Sequence, residues 1–370
     1  MVLIVKMKKL AIALTFLSII LIGIKLETLP KNKSAIAIPQ QSKKQQIDTQ
    51  QLKAIVQLEG LNLPRPKVTG KATIPLKVLD GGKVFVATVN IGGKPADFLL
   101  DTGASTSMLS SEIVKQLNLS GEPIPQELLN YAVAGDECPS MRANLHTFPV
   151  LEVDEVRVEG LMGLEFSTAV IPADLSGVLG MDFLSHFDLN LNPQRRELKL
   201  LPPAKVPEEK IASTIALKSR LGVMLAEVEI NGIGPFTLML DTGAESTFIS
   251  QELALLLKID GAAKQPVQVQ GFCGLEMAEI ASLAKVKLGS NEETNLEAVI
   301  LSSPVLQLLN VDGILGQNFL NNYEQSWRFG ESQQNELTKE GSLLLIPLEK
   351  DTETGKMPVL RSYNFTSSSE

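Results

Sequence analysis

Phe98-Leu99-Leu100-Asp101-Thr102-Gly103-Ala104 returns 140 residues later as Leu238-Met239-Leu240-Asp241-Thr242-Gly243-Ala244. In each copy three apolar residues run into an Asp, which a Thr-Gly turn then presents. Burying one isolated carboxylate behind such a run is costly. Two carboxylates placed by equivalent turns point instead to a single shared acid/base site.

The repeat extends outward from these turns, as a duplicated architecture requires. Upstream, Thr73-Ile74-Pro75-Leu76-Lys77 matches Thr214-Ile215-Ala216-Leu217-Lys218. Val84 to Ile91 alternates as a half-buried strand, and Val223 to Ile230 repeats it, with Leu225 and Ala226 blurring the pattern. A Gly-containing turn follows each, so a hairpin feeds each Asp-Thr-Gly. Downstream, Ser111–Leu119 and Gln251–Ile259 read as short helices. Ser110 and Ser250 are their expected N-caps, and Glu112 and Glu252 favour the positive helix end. Each copy closes on apolar-apolar-Gly, Val178-Leu179-Gly180 and Ile314-Leu315-Gly316, at 79 and 75 residues from its Asp. A closing hairpin is expected after each, over Phe187–Leu201 and Tyr323–Leu348.

The chain has 370 residues, enough for two domains or two lobes of one, and 44% hydrophobic residues supply a substantial core. Net charge is -8, which argues against nucleic acid as the main partner. The charge is uneven: residues 1–53 hold nine Lys against Glu27 and Asp48, so the body is strongly acidic. At the N-terminus Lys6, Lys8 and Lys9 precede an uncharged run from Leu10 to Ile24, closed by Lys25. This reads as a signal peptide or as an uncleaved N-terminal membrane anchor, and predicts an exported protein, periplasmic, secreted or membrane-tethered. Residues 38–53, rich in Gln and Lys, read as a flexible linker, with an inhibitory prosegment as the lesser reading. Pro202 to Lys210 reads as a second linker, and the chain from about Asp351 as a polar tail.

Two carboxylates held together cannot both ionise cheaply, so the pair contains an acid and a base at once. Water between them can lose a proton to one while the other protonates a carbonyl oxygen, with neither metal nor cofactor. Gly103 and Gly243 permit backbone angles closed to other residues and a close approach of a substrate or of the partner loop. No metalloprotease, serine-hydrolase or dinucleotide motif is present, and His146 and His186 stand alone.

Asp-Thr-Gly-Ala at 101–104 and 241–244, with Val178-Leu179-Gly180 and Ile314-Leu315-Gly316 in the same order, resembles the aspartic peptidases of the pepsin/retropepsin clan. The resemblance spans residues 71–350. It implies a mainly all-β fold of two homologous barrel-like lobes with short helices and a cleft between them. The domains expected are a targeting segment or anchor at 1–28, a linker at 29–70, lobe one at 71–203, a linker at 204–211, lobe two at 212–350 and a tail at 351–370. It also implies an aspartic endopeptidase acting on polypeptides, with Asp101 and Asp241 as the catalytic dyad. Thr102, Gly103, Ala104, Thr242, Gly243 and Ala244 would support the loops. Ala104 and Ala244, where pepsins usually have Ser or Thr, are nearer the retroviral pattern and predict a milder-acid optimum. Tyr131, Gly135 and Gly271 fall at flap positions; Cys138 and Cys273 lie just beyond the two flap glycines, either as free thiols or as a linkage between flaps. The fused copies imply a monomer built as an internal pseudo-dimer. The rival readings are a peptide-binding module of the same fold and an enzyme whose lobes pair between chains.

Overall fold

A computed structural model describes residues 49–51, 63–79, 82–125, 142–166, 171, 174–204, 213–259, 265–271, 274–302, 304–330 and 340–349. The targeting segment or anchor expected at 1–28, the linker expected at 204–211 (beyond Ala204) and the tail expected at 351–370 lie outside these residues. Among the described residues no helix is long and apolar enough to cross a membrane. The fold is mostly β-sheet with short helices, arranged as two lobes.

Each lobe begins with the hairpin expected ahead of its Asp. In the first, strand Phe85–Ile91 pairs antiparallel with Lys94–Leu100, placing Val86 opposite Leu99. Gly92 and Gly93 form the turn with φ of 57° and 81°. In the second, Val223–Ile230 pairs with Ile233–Leu240, and Asn231 and Gly232 take the same left-handed conformation at 54° and 75°. Positive φ at both central positions gives the two-residue turn whose twist suits a hairpin, and Gly and Asn tolerate it best.

These strands are half-buried only in part: Asn90 and Glu227 are exposed, whereas the stretches Val84–Ala87 and Val223–Ala226 are buried on both faces. Phe85, Ala87, Val89 and Ile91 enter one large core, while Val84 and Val86 enter a smaller one with Leu99, Ala104 and Met108. The second lobe repeats this. Met224, Ala226, Val228 and Ile230 join the large core, and Val223 and Leu225 join a small one with Met239 and Ala244. The blurred alternation at Leu225 and Ala226 is therefore two apolar faces meeting two cores. Each small core backs one Asp-Thr-Gly-Ala loop. The large core runs through both lobes.

That shared core is organised by a six-stranded antiparallel sheet. Its order is Ala72–Val78, Glu197–Leu201, Asp188–Asn192, Tyr323–Phe329, Glu340–Pro347, Ile215–Arg220. The two closing hairpins thus pair with each other at its centre, Leu189 facing Trp327 and Leu191 facing Gln325. Trp327 is buried, and its indole N–H donates to the Gln325 side chain at 3.0 Å.

Helices Ser111–Gln116 and Gln251–Leu256 are capped by Ser110 and Ser250, which accept from Ile113 N and Leu253 N. Two further helices, Met181–Leu184 and Gln317–Leu320, start directly at the closing glycines. The 29–70 stretch is not linker throughout. Thr49–Gln51 pairs in parallel with Gln268–Gln270, and Lys67–Thr69 pairs with Arg157–Glu159. Backbone hydrogen bonding to an open sheet edge needs no apolar period, so polar composition alone hid both strands.

Candidate active site

Strands Lys94–Leu100 and Ile233–Leu240 end at Asp101 and Asp241. Each runs parallel to the strand of its own closing glycine, Gly177–Leu179 or Gly313–Leu315. Asp101 N donates to Leu179 O at 3.1 Å and Asp241 N to Leu315 O at 3.0 Å. A side chain has no room at the closing glycines: a Cβ on Gly180 would lie 2.6 Å from Ala104 O, and one on Gly316 2.2 Å from Ser246 O. The sequence places these strands beneath the loops because Gly alone fits there.

The two loops interlock through their threonines. Thr102 N donates to Thr242 Oγ1 at 3.0 Å, and Thr102 Oγ1 donates to Leu240 O at 2.9 Å. The reciprocal bonds, Thr242 N to Thr102 Oγ1 and Thr242 Oγ1 to Leu100 O, are both 3.0 Å. Each hydroxyl accepts and donates once, so four backbone groups at the lobe junction are paired across it.

Above this interlock the carboxylates of Asp101 and Asp241 face each other's loops, each only 1% exposed. Asp101 Oδ1 accepts from Gly103 N at 2.9 Å and Ala104 N at 3.0 Å; Asp241 Oδ1 accepts from Gly243 N at 2.7 Å. A Cβ on Gly103 would lie 2.5 Å from Asp241 Cγ, and one on Gly243 2.3 Å from Asp101 Cγ. Neither glycine has a positive φ. Of the two reasons for glycine here, close approach of the partner carboxylate is the operative one. Ala104 and Ala244 are fully buried in the small cores.

Beneath the loops the lobes differ in ways that the motif search missed. In lobe one, Asp182 accepts from Ser107 N at 2.9 Å and from Ser107 Oγ at 2.6 Å, and Ser107 Oγ accepts from Gly180 N at 3.0 Å. Burial is the largest influence on the Asp182 carboxyl and pushes it up to about 6 against these bonds. In lobe two, Thr247 Oγ1 donates to Asn318 Oδ1 at 2.8 Å. Gln317, fully buried, donates from Nε2 to Thr242 O at 3.2 Å, where lobe one has Met181. The signal was present: Met181, Asp182, Gln317 and Asn318 directly follow the closing glycines, and only aligning the two copies singles them out.

Gly271 ends strand Gln265–Gly271, which forms a hairpin with Gly274–Leu288 and places Gly271 opposite Gly274. Tyr131, Gly135, Cys138 and Cys273 lie outside the described residues. His146 is buried in a lobe-one sheet, its Nε2 2.9 Å from Glu165, apart from the dyad. Among the described residues no group of three His, Cys, Asp or Glu side chains could hold a metal ion.

Two family profiles match the chain, one in each lobe. Residues 87–183 match an aspartyl protease family, and residues 226–322 match the gag-polyprotein aspartyl protease family. Each match contains one Asp-Thr-Gly-Ala and its closing glycine. A crystal structure of a retropepsin-like aspartic protease from Rickettsia conorii is similar at 19% identity and a TM-score of 0.26, covering 36% of this chain and 90% of that one. No curated protein matches the chain. With one such match in each lobe, the chain is built from two aspartyl protease family domains in tandem.

Proposed function

We propose that the protein is an aspartic endopeptidase in which Asp101 and Asp241 share one proton and activate a water between them. The observation that carries this reading is the reciprocal approach of each carboxylate to the other loop's glycine. Two carboxylates this close are held in a singly protonated state, because ionising both in a buried site is costly. The ionised member takes a proton from water while the other protonates the scissile carbonyl oxygen. Water oxygen bonds to the carbonyl carbon, giving a neutral tetrahedral diol. In its collapse the C–N bond breaks, the protonated carboxyl gives its proton to the nitrogen and the ionised one takes a proton from a diol hydroxyl, so the dyad again holds one proton. No covalent enzyme intermediate forms. The threonine interlock supports this chemistry by holding both loops against relative movement.

The test is digestion of a peptide library by the full chain, with and without a statine-type inhibitor, beside Asp101→Asn and Asp241→Asn. Hydrolysis should fall at least about a thousandfold in either variant, with circular dichroism unchanged. An absence of cleavage by the parent chain at every pH would leave a peptide-binding module of the same fold.

A further inference from the structure

A cavity of about 710 Å³ lies at the junction of the lobes, and no residue of 101–107 or 241–247 lines it. Its volume is in the range of small-molecule sites. Its charged walls are split by lobe. The lobe-one wall carries Lys83 and Arg196 and no carboxylate; the lobe-two wall carries Glu349, Glu293, which accepts from Tyr323 Oη at 2.7 Å, and Glu292, which is ion-paired with Lys285 at 3.0 Å.

Two residues with buried amide carbonyls, Gln317 and Asn321, belong to its wall. Gln317 Nε2 is committed to Thr242 O, which fixes the amide's orientation, and its buried Oε1 accepts no hydrogen bond from the described residues. Asn321 Nδ2 donates across the lobes to Lys83 O at 2.7 Å, and its buried Oδ1 likewise accepts none. A buried acceptor left unpaired is costly, so these two amides mark strain at the cavity's wall. These amides are also departures from the duplication, since lobe one has Met181 and Ser185 at the matching positions.

We propose that this cavity binds a short peptide with both termini free. Its carboxylate faces Lys83 and Arg196; its ammonium faces the lobe-two carboxylates. A simple amine would meet the two cations, and a simple carboxylate would meet Glu293 and Glu349, which have no cation in the lining; a zwitterion matches both walls. Taking the guest to be a product of the cleft rests on the peptidase reading. The guest bridges two lobes, and Gln317 connects its site to the backbone of Thr242, the residue after Asp241. Product peptides therefore lower turnover from outside the substrate cleft.

Binding is measured by calorimetry and thermal shift on the full chain carrying Asp101→Asn, with trialanine, its N-acetyl form and its C-terminal amide as probes. Trialanine should bind, and each capped form should bind at least tenfold more weakly. Lys83→Gln with Arg196→Gln, two exposed positions, should weaken trialanine at least tenfold without changing the melting temperature. Equal binding of the capped forms, or undiminished binding to the double variant, overturns the proposal. Turnover is read separately with Asp101 restored. Trialanine should lower kcat at saturating substrate, and the double variant should keep the basal rate but escape this inhibition; inhibition overcome by substrate overturns the regulatory role. Binding without any hydrolysis by the parent chain would retire the peptidase reading and leave the site standing.

Discussion

Asp182 and Asn318 occupy the same position in two copies of one motif, yet only the first carries a charge. The Asp182 carboxyl is raised from 3.8 to about 6, with burial the leading cause. Its contribution to stability is therefore full below pH 3.8 and is lost as pH rises through about 6. Asp182→Asn, which imitates the other lobe, removes that loss. The side chain keeps partial contact with solvent, so the expected gain is about 1–2 kcal/mol at pH 7.5. Thermal melts at pH 4.5 and 7.5 check it; a gain of equal size at both would mean the charge is not responsible. Ala104 and Ala244 make a second residue-scale case. Neither side chain can donate to its neighbouring carboxylate, so the ionised form is less favoured than with Ser in place. Ala104→Ser and Ala244→Ser should each move the acidic limb of the activity profile to lower pH. An unmoved limb would remove the argument.

Among elements, the loop interlock outweighs the helix caps. Ser110→Ala or Ser250→Ala removes one N-cap bond and should cost about 1 kcal/mol in urea unfolding. Thr102→Ala strips the partners from Thr242 N and Leu240 O, both buried between lobes. Unpaired buried groups cost more than the bonds themselves, so about 2–4 kcal/mol is expected. Thr102→Ser keeps both bonds and should restore most of the loss. If Ser fails to rescue, the methyl group's packing is what matters.

For the whole molecule, the central pairing of Asp188–Asn192 with Tyr323–Phe329 makes the lobes parts of one sheet and one core. A chain ending near residue 204 would expose the Leu189–Leu191 edge, and such edges pair with other chains. Lobe one alone is expected to associate or aggregate, which sedimentation would detect. Trp327→Ala should destabilise the entire protein by about 3–5 kcal/mol in one transition, whereas separate transitions for the two halves would show that the lobes fold independently. With both loops on one chain, specific activity should stay constant over a hundredfold dilution; a fall would indicate lobes exchanging between chains.

By itself the sequence determined the duplication, the two Asp-Thr-Gly-Ala turns, the hairpins that feed them and the closing glycines. These features are local: a turn, a cap and a tight glycine each leave their mark within a few residues. The tertiary structure alone decided which segments meet. Leu189 and Leu191 alternate as they would against any partner, so nothing local reveals that Trp327 and Gln325 lie opposite. Strands buried on both faces blur the alternation that defines a half-buried strand, as at Leu225 and Ala226. Polar residues gave no apolar period at Thr49–Gln51 and little at Lys67–Thr69, so backbone pairing there was invisible. Asp182, Gln317 and Asn321 look ordinary along the chain. Their roles arise because folding sets two unequal copies face to face, and burial then acts on the positions where the copies differ.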